Sequence, residues 1–243
     1  MDPEVTMASP QPPLSSAPVP LGRAIAVWAI AWSVGGIIGG QIVLGVSGTE
    51  PGDDLSTVVL SALAAVSWVT FIVGVVALAK MSGTSVGTVV GAGVRPIDVV
   101  GVPIGVLAQL VVVPLLYVPL RWVAPDAFSG DDVERNAREL LDAATGWRVL
   151  LLIVVVVVGA PIVEEIVYRG ALQRAAIARY GHVVGVAGTS VFFGLIHLRP
   201  VELPGLVVAG AIFGLLAARA GRLGPAVAAH VGFNGAGLLA LAW

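Results

Sequence analysis

The chain has 243 residues, of which 57% are hydrophobic and only 12% charged, and its mean hydropathy is +0.97. Soluble domains carry about 25% charged residues, so this is the composition of a membrane protein. A net charge of −2 without a basic stripe excludes a nucleic-acid partner, and the absence of cysteine excludes disulfides, thiolate metal ligands and a cysteine nucleophile.

Residues 1–22 read as a disordered tail, because six of the sixteen prolines fall within the first 20 positions with Ser and Ala between them. The tail lacks the basic start and apolar stretch of a signal peptide. Residues 23–243 are expected to form one transmembrane domain. Uncharged stretches long enough to cross a bilayer come at about 24–46, 55–79 and 99–120. A fourth begins near Trp147, shorter ones follow at 183–198 and 203–218, and a longer one covers 223–243. The expected fold is all-α, a bundle of about seven transmembrane helices. Gly35, Gly36, Gly39 and Gly40 form small-xxx-small pairs suited to helix packing. No internal repeat suggests an inverted-repeat transporter.

Between the third and fourth spans, Val133, Ala137, Leu140, Leu141 and Ala144 recur at helical spacing. Asp131 or Asp132 can cap that segment, and Glu134–Arg138 and Arg135–Glu139 are i,i+4 pairs. It reads as a structural amphipathic helix at the membrane interface, substrate gating being the alternative.

Loop charges orient the bundle. With the N-terminus inside, eight basic residues (Arg23, Lys80, Arg95, Arg169, Arg174, Arg179, Arg219, Arg222) are cytoplasmic and five (Arg121, Arg135, Arg138, Arg148, Arg199) are outside. Trp122, Trp147 and Trp243 then fall at the outer interface. Twelve of the thirteen basic residues are arginine, the usage of a GC-rich bacterial genome. The expected location is a bacterial plasma membrane, with the site accessible from the cytoplasm.

Polar clusters interrupt the C-terminal spans: Glu164-Glu165-Ile166-Val167-Tyr168-Arg169, Phe193-Gly194-Leu195-Ile196-His197 and His230-Val231-Gly232-Phe233-Asn234. An ionisable group at bilayer depth costs roughly 2.5–3.5 kcal/mol on insertion scales, so such groups point to function. Glu165 and Arg169 share a helix face and can pair, while Glu164 points about 100° away. Phe193 shares a face with His197, as His230 does with Asn234. Any single His or Asn here reads most simply as an interhelical hydrogen bond, but the set together reads as a site. If a turn falls at Gly181, Glu164 and His197 lie at similar height. His230 then reaches them only if the first hairpin protrudes further than the second.

These groups can hydrolyse an amide. A desolvated carboxylate is a competent base for water, one imidazole can hold that water, and an amide with a second imidazole can stabilise an oxyanion. Glu164, His197 and His230 could instead bind Zn²⁺ with an open position, although no HExxH motif is present. His182 beside Gly181 reads as interfacial, and Arg199 and Glu202 as loop charges, Glu202 lying close to His197 in sequence.

EEIVYR, FGLIH and HVGFN resemble, in order, the EExxxR, FxxxH and HxxxN motifs of the CAAX prenyl protease and bacteriocin-processing (CPBP) family, over about residues 147–240. The resemblance implies an all-helical, glutamate-dependent intramembrane endopeptidase acting on a membrane-associated peptide or protein. It implies Glu164 as catalytic base, His197 as its water-positioning partner, and His230 with Asn234 as the oxyanion site. Glu165 and Arg169 would brace the first motif, in a mechanism without a metal cofactor. A zinc-dependent form of the same hydrolase, a non-catalytic scaffold or immunity protein on the same fold, and a small-solute transporter are the rivals.

Overall fold

Gly181 decides how often the chain crosses the bundle. The run Trp147–Leu195 is helical over 49 residues, more than twice what a bilayer core needs. Gly181 breaks it with φ 81° and ψ 170°, a conformation open to glycine and closed to residues with a β-carbon. The arm before the break is α5 (147–180) and the arm after it is α6 (182–195).

A computed structural model describes residues 19–50, 53–128 and 138–241. The other long helices are α1 (Leu21–Ser47), α2 (Thr57–Met81), α4 (Pro96–Val123), α7 (Leu203–Ala220) and α8 (Gly224–Leu241). A short helix, α3 (Val86–Val90), lies between α2 and α4. Six helical runs are long and apolar enough to cross a membrane, and dividing one at Gly181 gives the seven passes expected. No strand occurs among the described residues. Ile30, Ile38 and Ile42 on α1 and Val69 and Val73 on α2 are exposed, as lipid-facing positions must be.

The 14 residues of α6 rise only about 21 Å, short of a roughly 30 Å hydrocarbon core. His197, just past its end, is therefore held below the far interface.

Helix approach depends on glycine. Gly35 lies against Ser67 and Thr70, and Gly39 against Val66, so the small residues expected to pack do join α1 to α2. The closest contact is between α4 and α8. A β-carbon on Gly105 would come 2.7 Å from the Phe233 amide nitrogen, and one on Gly232 would run into the Val102 carbonyl oxygen and come 3.0 Å from the Val102 α-carbon. The helix that carries His230 and Asn234 is thus set by backbone contact.

Contacts at each end fix the sides of the bundle. At the end holding the start of α1, Arg23 donates to the Met81 carbonyl, Arg222 pairs with Asp98, and the Leu223 amide donates to Gly91. At the opposite end, Thr57 donates to the Ala143 carbonyl and Tyr117 to the Val201 carbonyl.

Several expectations fall on undescribed positions. The proline-rich residues 1–18 lie outside the described residues, while α1 begins at Leu21, two positions before the expected boundary. Asp131, Asp132, Val133, Glu134, Arg135, Ala137 and Trp243 also lie outside them. Of the amphipathic segment, residues 138–142 are helical and Ala144 is buried.

Candidate active site

The site forms where α5, α6, α7 and α8 meet. The stretch Glu165–Gln173 of α5 winds with the wider i→i+5 hydrogen bonding, a local departure often found at functional positions. Glu165, Arg169 and Gln173 all come from this stretch and all are buried. Arg169 is fixed from three directions. Its Nη1 lies 3.2 Å from Glu165 Oε1, its Nη2 donates to the Gly210 carbonyl at 3.1 Å, and its guanidinium lies 4.4 Å above the Phe193 ring. The expected bracing pair is therefore formed, and Arg169 ties it to α6 and α7 as well.

Glu165 reaches further than the expected brace. Its Oε1 stands 2.9 Å from His230 Nδ1, so a carboxylate here accepts the Nδ1 proton and fixes the imidazole. Phe213 stacks beneath the same ring at 4.5 Å. His230 Nε2 then faces Glu164, whose Oε2 is 3.8 Å away. Glu164 is one-quarter exposed, unlike fully buried Glu165, and the Oε2 of each is a buried oxygen without a hydrogen bond to the described residues. Adjacent carboxylates are thus separated: Glu165 is spent on protein contacts and Glu164 faces a cavity.

His197 lies in the turn after α6. Its Nδ1 is 2.6 Å from the Phe193 carbonyl, an oxygen that can only accept. Nδ1 therefore carries a proton, and in the neutral imidazole Nε2 keeps a lone pair. The Phe193 ring packs edge-on to His197 at 4.7 Å and to His230 at 6.0 Å, so one residue locates both imidazoles. Asn234 donates from Nδ2 to the Val156 carbonyl at 2.8 Å, which leaves one amide proton uncommitted by that bond.

A cavity of about 340 Å³ joins Glu164, His197, His230 and Asn234. It runs past Gln109 and Tyr117 to Leu140, Arg199 and Glu202. Arg199 and Glu202 pair with each other at 3.3 Å, so these loop charges also line the cavity.

The meeting of His230 with the α5 carboxylates does not need a longer first hairpin. Gln173 donates to the Gly214 carbonyl, which places the Gly181 and Gly221 turns eight and seven residues beyond a common level. The hairpins extend about equally. Glu165 Oε1 nonetheless reaches His230 Nδ1 at 2.9 Å.

Sequence reasoning missed Phe213, Gln173 and Tyr117. Each left a faint mark: Phe213 is the one aromatic residue of α7, Gln173 follows Arg169 by four, and Tyr117 is a polar ring in an apolar span. The buried Tyr117 hydroxyl donates to the Val201 carbonyl at 2.6 Å and accepts from the Gly205 amide at 3.4 Å. It fastens the loop between His197 and α7. Leu198 in that loop has φ 55°, so the chain turns sharply just past the histidine.

Among the described residues no three His, Asp or Glu side chains are positioned to hold one ion. Glu165 already takes the Nδ1 side of His230.

Residues 146–236 match the family model for type II CAAX prenyl endopeptidase, Rce1-like. The match spans all three motifs and is a likeness, over that stretch, to a CAAX-type membrane protease family. No curated protein and no solved structure matches the chain.

Replacing Arg169 with Ala strands a buried carboxylate, and breaking a buried pair from one side costs about 3–5 kcal/mol. A large fall in melting temperature should accompany loss of activity. Tyr117→Phe removes only the hydroxyl, at a cost of about 1 kcal/mol. Its melting temperature should therefore fall less than that of Arg169→Ala, while turnover drops as the His197 loop loosens.

Proposed function

We propose that the chain is an intramembrane endopeptidase that hydrolyses a peptide bond in a membrane-associated protein or peptide, in a bacterial plasma membrane. The observation that carries this reading is the split between the two neighbouring carboxylates. Glu165 is fully buried with Oε1 held by both Arg169 and His230, whereas Glu164 is one-quarter exposed and lines the cavity.

A water held between Glu164 and His197 has an acceptor for each proton, the Glu164 carboxylate and His197 Nε2. Its oxygen lone pair is then free to attack a carbonyl carbon. Glu164 takes one proton as the C–O bond forms, and the carbonyl oxygen becomes an oxyanion. Asn234 can offer its second Nδ2 proton to that oxygen. His230 can donate from Nε2 only as an imidazolium, because its Nδ1 proton is directed to Glu165. Glu165 and Glu164 flank that charge. Collapse of the intermediate breaks the C–N bond, and Glu164 returns its proton to the leaving amine.

No step here runs through a metal, and the donor placement supports leaving it out. A non-catalytic scaffold has no use for a carboxylate held apart from its neighbour's ion pair.

Glu164→Gln keeps the shape and removes the base, so turnover should vanish while the melting temperature holds. Wild-type turnover by this variant on a verified substrate would overturn the glutamate-base mechanism. Asn234→Ala should retain residual activity, since loss of one oxyanion donor costs about 10²–10³ in rate. Activity of the purified enzyme should also survive exhaustive chelation. Loss restored by stoichiometric Zn²⁺ would instead place Glu164, His197 and His230 around a metal.

A further inference from the structure

The cavity has a direction. From its catalytic groups the wall extends toward one end of the bundle: Tyr117 toward the end of α4, Leu140, Leu238 near the end of α8, and the Arg199–Glu202 loop. That end also holds the Thr57–Ala143 and Tyr117–Val201 contacts. It is the end opposite the start of α1, where Arg23 meets Met81 and Arg222 meets Asp98. An N-terminus inside the cell and a site reached from the cytoplasm are therefore incompatible in this fold.

Charge decides between them. Among the described residues, the end holding the start of α1 carries Arg23, Lys80, Arg95, Arg174, Arg179, Arg219 and Arg222 against one carboxylate, Asp98. Arg169 does not count, because it is buried beside the site. The mouth end carries Arg121, Arg138, Arg148 and Arg199, and Arg135 falls in the same loop of the sequence, five basic residues against seven at the other end. Lysine and arginine near span ends are retained on the cytoplasmic side, which places the mouth outside.

We propose that the catalytic cavity opens on the exoplasmic face of the membrane and receives a polypeptide segment presented from that side. The substrate class is then an exported or surface-anchored chain, not a cytoplasmic C-terminus. Calling that segment a substrate rests on the protease reading above; the direction of the opening does not.

The chain contains no cysteine, so single-cysteine variants report without a background to remove. Ala127→Cys marks the mouth end, Leu238→Cys marks the cavity wall, and Tyr180→Cys marks the turn beside Gly181. Spheroplasts expressing each full-length variant are treated with a membrane-impermeant maleimide before and after permeabilisation. Labelling of Ala127→Cys and Leu238→Cys in sealed spheroplasts, with Tyr180→Cys labelled only after permeabilisation, is the expected result. The reverse pattern, or labelling of all three in sealed spheroplasts, overturns the exoplasmic placement. Labelling of Ala127→Cys without Leu238→Cys in sealed spheroplasts overturns the opening itself. These outcomes do not depend on turnover. Inert Glu164 substitutions with the expected labelling would sink the protease reading and leave the access direction standing.

Discussion

A guanidinium buried among apolar helices organises the C-terminal half of this protein. Removing Arg169 and Glu165 from water carries a desolvation cost that only close pairing and extra hydrogen bonds offset. The fold supplies them from every side: the Gly210 carbonyl of α7, the Phe193 face of α6 and, through Glu165, the His230 ring of α8. One positive charge therefore sets the mutual positions of four helices. Of the catalytic candidates only His230 is part of this core; Glu164, His197 and Asn234 are arranged around it.

That arrangement explains why two adjacent glutamates differ so much in environment. Helical rotation turns them about 100° apart, enough for one to enter the ion pair and the other to enter a cavity. Glu165 gains its partners by burial, and Glu164, one-quarter exposed, lines the cavity. His230 lies between them, held from Nδ1 and facing Glu164 from Nε2. Phe193 does for His197 what Glu165 does for His230, through its backbone carbonyl.

The passes and the pairing of Glu165 with Arg169 were legible in the sequence, because each depends on hydropathy or on spacing within one helix. The Phe193–His197 pairing was legible for the same reason. Contacts between helices were not. Periodicity fixes which way a residue turns but not how far one helix slides along another, so the depth of His230 relative to Glu165 was not legible. The bond from Asn234 to Val156 and the stacking of Phe213 on His230 join positions many residues apart. The direction of the cavity was also beyond reach, since it depends on which helix ends are left apart.

The backbone contact between α4 and α8 limits how this cavity can move. Gates in helical bundles work by swinging a side chain or by sliding apart surfaces that side chains keep separate. Gly105 and Gly232 leave neither option at this seam, because main chain rests on main chain. Lipid tails cannot wedge into it, and no rotamer change can open it. The α4–α8 wall is therefore the fixed jamb of the chamber, and any breathing of the cavity falls to its other walls.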